Sequence, residues 1–332
     1  MKKLLLLSLS FAVGFAIFIW IWKTIGLEQI KKDFMVFTGW QGLVIFGLTL
    51  LSLAIGSWRW KVILNAGNIK VSFRDLFGAY LAGFSIIFLA PILIWGGEFT
   101  RAYILKNKKD ISFTKAMASI VVDRILEWTI NFLIIFFGSL FFLMTIGFPP
   151  INLIIIFGSA FLVLMTGLAI FYFKCTTRES ILNFFIKNNK SKFLELEKEV
   201  FSFFKWKRFI VWQAVLISFL RAATMWVRVW FLIIFLGKIV GGLSALSILG
   251  FSYLAIMIPI PTALGTHEAI QVFAFNSLGL GASAATAFTM IIRGAELLVA
   301  IVGIVILFKL GLLLMKDAFF KRLEGLTDND NL

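Results

Sequence analysis

The chain is 332 residues long, 61% hydrophobic and only 15% charged, with a mean hydropathy of +0.98, and so large an apolar share exceeds what one soluble core can bury. Its formal charge of +15 comes from basic residues spread over the ends of apolar runs rather than gathered in a soluble domain, which argues against a nucleic-acid partner. A single cysteine, Cys175, and a single histidine, His267, exclude a disulfide framework and leave a structural zinc site without ligands, so no metal and no cofactor is expected.

Apolar runs of about 20 residues match the roughly 30 Å hydrocarbon core of a bilayer. The first run, residues 4–22, follows Lys2 and Lys3 and also has the charged and apolar regions of a signal peptide. It stays apolar past the small residues at 12–16 as far as Trp22, which suits an uncleaved helix better. The second, 41–58, is followed by Arg59, Lys61, Lys70 and Arg74, which the positive-inside rule puts in the cytoplasm. Residues 76–104 are apolar enough to enter the membrane, yet Arg74 precedes them and Arg101, Lys106, Lys108, Lys109 and Lys115 sit at or beyond their far end. One crossing would place a basic cluster outside. A re-entrant hairpin broken at Pro91 and at Gly96-Gly97 avoids this.

Spans at 125–146 and 151–173 meet at the uncharged turn 147–150, and the basic stretch 174–208 returns the chain to the cytoplasm. Within 178–208, Leu182, Phe185, Ile186, Phe193, Leu196, Val200 and Phe203 recur at helical spacing between lysines. That pattern predicts two short amphipathic helices, broken at Asn188-Asn189, on an anionic leaflet or as a solvated connector. A span at 209–236 follows. Residues 243–278, with Pro259, Pro261 and Gly265, form a second re-entrant hairpin from the opposite side; the last span is 295–308, with basic residues over 309–322 and a polar, acidic end. Non-helical backbone at membrane depth needs protein or a watery cavity around it, so broken segments point to a site.

The expected fold is an all-α integral membrane protein with about six transmembrane helices and two re-entrant hairpins, both termini cytoplasmic. One membrane domain covers residues 1–315 and a cytoplasmic tail covers 316–332. The two hairpins share a skeleton. Pro91 precedes Glu98 by seven residues and Arg124-Ile125-Leu126-Glu127 begins 26 later; Pro261 precedes Glu268 by seven and Arg293-Gly294-Ala295-Glu296 begins 25 later. Three predicted spans lie between them, so the halves would be inverted across the membrane, as in many transporters with a midplane site. The plainer alternative is two Pro-containing loops that merely pack two bundles together.

Charges at membrane depth are expensive and mark function unless packing explains them. Arg124 with Glu127 and Arg293 with Glu296 are i, i+3 neighbours that can neutralise each other locally. Arg221 and Arg228 form a stripe two turns long in a stretch with no acid between Glu199 and Glu268. Their partners must be acids on other segments, or an anionic ligand for which guanidinium is well shaped. The deep acids are Glu98, Asp123, Glu127, Glu268 and Glu296. His267 beside Glu268 reads as an orienting contact or, less simply, a proton relay. No phosphate cradle, nucleophile elbow or metal spacing occurs, so an enzyme is not expected.

The stretches Ala90-Pro91 to Gly96-Gly97-Glu98-Phe99-Thr100-Arg101-Ala102, Val121-Val122-Asp123-Arg124, Ile258-Pro259-Ile260-Pro261 to Gly265-Thr266-His267-Glu268, and Ile291-Ile292-Arg293-Gly294-Ala295-Glu296 resemble the transmembrane flippase-like domain of the lysylphosphatidylglycerol synthase/flippase family. The resemblance covers roughly residues 5–315 and lacks the soluble synthase domain; Asp123 stands where a Glu is usual. It implies a lipid translocator of the cell (cytoplasmic) membrane that moves a phospholipid, aminoacylated lipid or glycolipid through a polar cavity between the hairpins. Membrane lipids, a separate lipid-modifying enzyme and a second copy of the chain are the expected partners. Two rivals stand beside it: a secondary transporter of a small polar solute, and a non-transporting scaffold for a lipid-modifying enzyme.

Overall fold

A computed structural model describes residues 39–89, 95–109, 111–148, 150–177, 180, 192–206, 208–257 and 265–327. The first predicted span, Pro91, Pro259 and Pro261, the first amphipathic helix and the last five residues lie outside them. The described residues are helical without a strand: α1 Trp40–Ala66, α2 Phe73–Leu89, α3 Gly96–Lys109, α4 Phe113–Ile146, α5 Ile151–Thr177, α6 Lys192–Trp206, α7 Arg208–Phe235, α8 Gly242–Met257, α9 Thr266–Ser277 and α10 Ala282–Thr327. Each segment predicted as a hairpin contains two helices, α2 with α3 and α8 with α9, and residues 90–94 and 258–264 between them lie outside the described ones.

Four stretches are long and apolar enough to cross a membrane, Trp40–Ala66, Phe113–Ile146, Phe209–Phe235 and Ala282–Lys309, and each coincides with one of the predicted spans or contains it, to within one residue. Their outward faces carry large exposed apolar side chains, as a lipid-facing surface requires. The span expected at 151–173 falls on α5, which sits at the margin of the bundle with Leu162, Val163 and Phe173 exposed.

The contacts among helices obey an exchange rule. Among α1–α4 and α7–α10, exchanging the first four for the last four maps the set of packed pairs onto itself, while α6 packs on α4 without a matching contact on α10. α2 lies against α10 and α8 against α4; α2 packs on α3 and α8 on α9; α3 packs on α4 and α9 on α10; and α1 faces α7 along the seam. Both cross-contacts rest on glycine. A Cβ at Gly138 of α4 would stand 2.8 Å from the Leu246 carbonyl oxygen of α8, and one at Gly303 of α10 would stand 2.3 Å from that of Leu81 of α2. Such close backbone approach is how helices gain packing in a solvent as apolar as their side chains.

α10 continues as one helix to Thr327, past the last predicted span, because its Leu- and Lys-rich sequence contains no Pro there. The amphipathic helix α6 turns part of its apolar face inward: Val200, Phe201 and Phe203 are buried in a core with Ile63 of α1, Leu126 of α4 and Ala214 of α7, while Phe193 stays exposed.

Candidate functional site

The seam between α1 and α7 carries a reciprocal pair of contacts. Arg59 Nη1 of α1 donates to Ser218 Oγ of α7 at 3.2 Å, and Arg228 Nη1 of α7 donates to Thr49 Oγ1 of α1 at 3.1 Å. Both acceptor hydroxyls are on short side chains one helix away, so each arginine ties its own helix to the other half. The same two arginines reach the acid 68 residues further along the chain. Arg59 Nη2 donates to Glu127 Oε2 at 2.8 Å, and Arg228 Nη1 to Glu296 Oε1 at 3.4 Å.

Around Arg59 the charges form two layers. In the inner layer Asp123 accepts from Arg59 Nε at 2.7 Å through Oδ1 and from Arg101 Nη2 at 3.1 Å through Oδ2; all three side chains are at most 1% exposed. Arg101 also lies over the rings of Trp60 and Tyr80, 4.2 and 4.4 Å from their centroids, which replaces hydration by cation–π attraction. In the outer layer Glu127 serves three guanidinium groups. Its Oε1 is 2.7 Å from Arg221 Nη1, and its Oε2 is 3.1 Å from Arg124 Nη1 as well as 2.8 Å from Arg59 Nη2. Arg124 Nε is also 2.8 Å from Glu98 Oε1 without hydrogen-bond geometry. The outer side chains keep some exposure, 20% for Arg124, 17% for Arg221 and 14% for Glu127.

The other half repeats the frame more loosely. Arg293 Nε stands 3.5 Å from Glu268 Oε1, as Arg124 stands by Glu98. Glu268 Oε2 accepts from the Gly265 backbone N–H at 2.7 Å, closing the start of α9, and Gly265 has φ 84, a left-handed conformation that favours glycine. Glu296 and Arg293 are 25% and 23% exposed. Gln271 donates to Ser252 Oγ at 2.8 Å, while its Oε1 and His267 Nδ1 are buried without a hydrogen bond among the described residues.

Of the residues singled out from sequence, Glu98, Arg101, Asp123, Arg124, Glu127 and Arg221 meet in one cluster, while Arg228, Glu268, Arg293 and Glu296 carry the matching pairs. Gly96 and Gly97 open α3, and Gly97 packs against Gly83, whose carbonyl oxygen would be 2.4 Å from an added Cβ. Arg221 and Arg228 find their partners in acids on other helices, Glu127 of α4 and Glu296 of α10. Arg59 is a correction. It is not a cytoplasmic flanking charge but a buried centre of the network, because α1 continues seven residues past it to Ala66. The readable signal was its position: Thr49, Arg59 and Glu127 recur as Ser218, Arg228 and Glu296, each 169 positions later (49 to 218, 59 to 228, 127 to 296). Among the described residues no group of three or more His, Cys, Asp or Glu side chains is placed to hold a metal ion.

A family model described as the lysylphosphatidylglycerol synthase TM region matches residues 6–303. The UPF0104 membrane protein MJ1595 of Methanocaldococcus jannaschii is 27% identical over 307 residues, which cover 88% of this chain and 90% of that one. The UPF0104 membrane protein PH1989 of Pyrococcus horikoshii is 26% identical over 316 residues, 88% of this chain and 92% of that one. A UPF0104 membrane protein of Methanothermobacter thermautotrophicus is 36% identical over 80 residues, 24% of each chain. No solved structure matches.

Proposed function

The chain belongs to the family of the lysylphosphatidylglycerol synthase transmembrane region, and from that premise we propose that it moves lipids between the leaflets of the cytoplasmic membrane without catalysing a reaction on them. The observation that carries this reading is the doubled charge frame. Membrane helices spend several charges where a simple bundle would spend none, and each such charge costs at least about 2.5–3.5 kcal/mol on insertion scales. Packing alone does not call for it, since apolar side chains of like volume replace buried ion pairs at little or no loss.

In this account α2–α3 and α8–α9 are re-entrant hairpins of two repeats inverted in the membrane, and the termini are cytoplasmic. The lipid headgroup passes along the partly exposed outer charges, Arg124, Glu127, Arg221, Arg293 and Glu296, while the acyl chains remain in the bilayer. Two halves of like construction give two arrangements of similar energy, the requirement for a site that faces each side in turn. With no nucleotide-binding motif, the movement is downhill or coupled to an ion gradient.

The test is reconstitution into liposomes holding fluorescent lipids of several headgroups, with leaflet exposure read by a membrane-impermeant quencher. Wild type should speed quenching of the inner-leaflet pool of at least one lipid, and Arg221→Ala/Arg228→Ala should return it to the protein-free rate. Protein-free rates for wild type with every lipid would remove the proposal.

A further inference from the structure

We propose that Arg124 and Arg221 form a phosphate-binding site that selects headgroups of net negative charge. The proposal rests on the translocation reading above and names its substrate class. It comes from the points where the two halves differ. Arg59 and Arg228, Glu98 and Glu268, Arg124 and Arg293, Glu127 and Glu296 are counterparts, two arginines and two glutamates in each half. That duplicated frame is neutral. Three charged residues stand outside it, because the positions matching Arg101, Asp123 and Arg221 hold Gln271, Ile292 and Ser52.

These three all join the cluster around Arg59, which then sets Arg59, Arg101, Arg124 and Arg221 against Glu98, Asp123 and Glu127. One positive charge is left over. It does not reside in the inner layer, where Asp123 is enclosed by Arg59 and Arg101 and Arg101 is covered by two rings. Arg221 has Glu127 as its one carboxylate among the described residues, and that carboxylate already answers Arg59 and Arg124. The surplus therefore lies at Arg124 and Arg221, the guanidinium groups of the cluster that keep exposure, 20% and 17%; a buried Nε without a hydrogen bond they share with Arg101 and Arg228. A guanidinium short of a counterion at membrane depth is costly, and a phosphate both supplies the charge and accepts paired N–H bonds. The phosphate is that of a lipid headgroup or of a soluble phosphate ester, two sources of one chemistry.

The full chain is reconstituted with trace fluorescent phosphatidylglycerol, phosphatidylcholine and a net-cationic aminoacylated lipid, and in parallel with labelled glycerol 3-phosphate outside the vesicles. Wild type should move the anionic lipid at least about tenfold faster than the cationic one. Arg221→Ser installs the residue of the other half and leaves three arginines facing three carboxylates, so it should keep its detergent melting temperature while the preference falls below about twofold. Arg221→Lys, which keeps the charge, should retain the preference and controls for misfolding. Movement of all three lipids at one rate, or faster movement of the cationic one, overturns the inference and leaves translocation standing. Arg221-dependent accumulation of glycerol 3-phosphate without lipid movement keeps the phosphate site and discards the lipid. If nothing moves, both readings fall.

Discussion

Arg59 and Arg228 are images of each other: each donates to a hydroxyl on the helix that bears the other, Ser218 at 3.2 Å and Thr49 at 3.1 Å, and each holds the glutamate 68 residues beyond it. Two halves joined this way share one polar seam, and a change in either arginine is felt on both sides of it. The consequences can be measured.

Arg59→Met should destabilise the protein by about 3–5 kcal/mol, because it strands Asp123 beside Arg101 alone in a site closed to water. Arg228→Met should cost less, since Glu296 keeps 25% exposure and its contact is 3.4 Å long. Thermal unfolding of the purified variants in detergent gives the order, and equal losses would show that the charges around Arg59 are no more enclosed than those around Arg228.

Joint replacement of a buried pair should cost less than single replacement. Asp123→Leu strands Arg101, whose one carboxylate contact among the described residues is Asp123, whereas Arg59 keeps Glu127, so Arg101→Met with Asp123→Leu should melt above Asp123→Leu alone, with a coupling of about 1–3 kcal/mol. Additive losses would argue that the two charges are independent.

Gly303→Ala should destabilise by about 1–3 kcal/mol, as its Cβ would meet the Leu81 carbonyl oxygen at 2.3 Å and force α10 off α2. Gly138→Ala should act alike at the matched crossing on α8. Gly158→Ala, in α5 with no atom within 4 Å of the added carbon, should be neutral or stabilising by up to about 1 kcal/mol. A similar response at all three would contradict the paired close crossings.

Gly265→Ala should cost about 1 kcal/mol or more, because φ 84 is strained for alanine and the cap with Glu268 depends on that turn. Glu268→Gln keeps an acceptor for the Gly265 N–H but loses the charge facing Arg293, so it should lower translocation more than stability. Comparing melting temperature with leaflet-exposure rate separates the two.

Much of this architecture was legible in the residues. Spacing among Pro91, Glu98, Arg124 and Glu127, matched by Pro261, Glu268, Arg293 and Glu296, pointed to the repeat, since a few prolines and charges at fixed distances stand out against an apolar background. Arg59 escaped because a basic residue at the end of an apolar run is usually a membrane flank, and nothing local says that α1 carries on to Ala66. The partners of Arg221 and Arg228 were open between acids and a ligand, because pairing across helices depends on which faces the α1–α7 seam presents. Partial burial of α6 was hidden for a related reason: an amphipathic face fits a leaflet and a groove of the bundle equally well.

A single translocation site built from both halves is tested most directly by the leaflet-exposure rate of an anionic fluorescent lipid in liposomes bearing wild type, Glu127→Gln or Glu296→Gln, all checked for intact folding. Wild type should exceed the protein-free rate, and neutralising either glutamate should lower the gain by about tenfold or more. A wild-type rate equal to that of empty liposomes, or a Glu296→Gln rate equal to wild type, would contradict such a site.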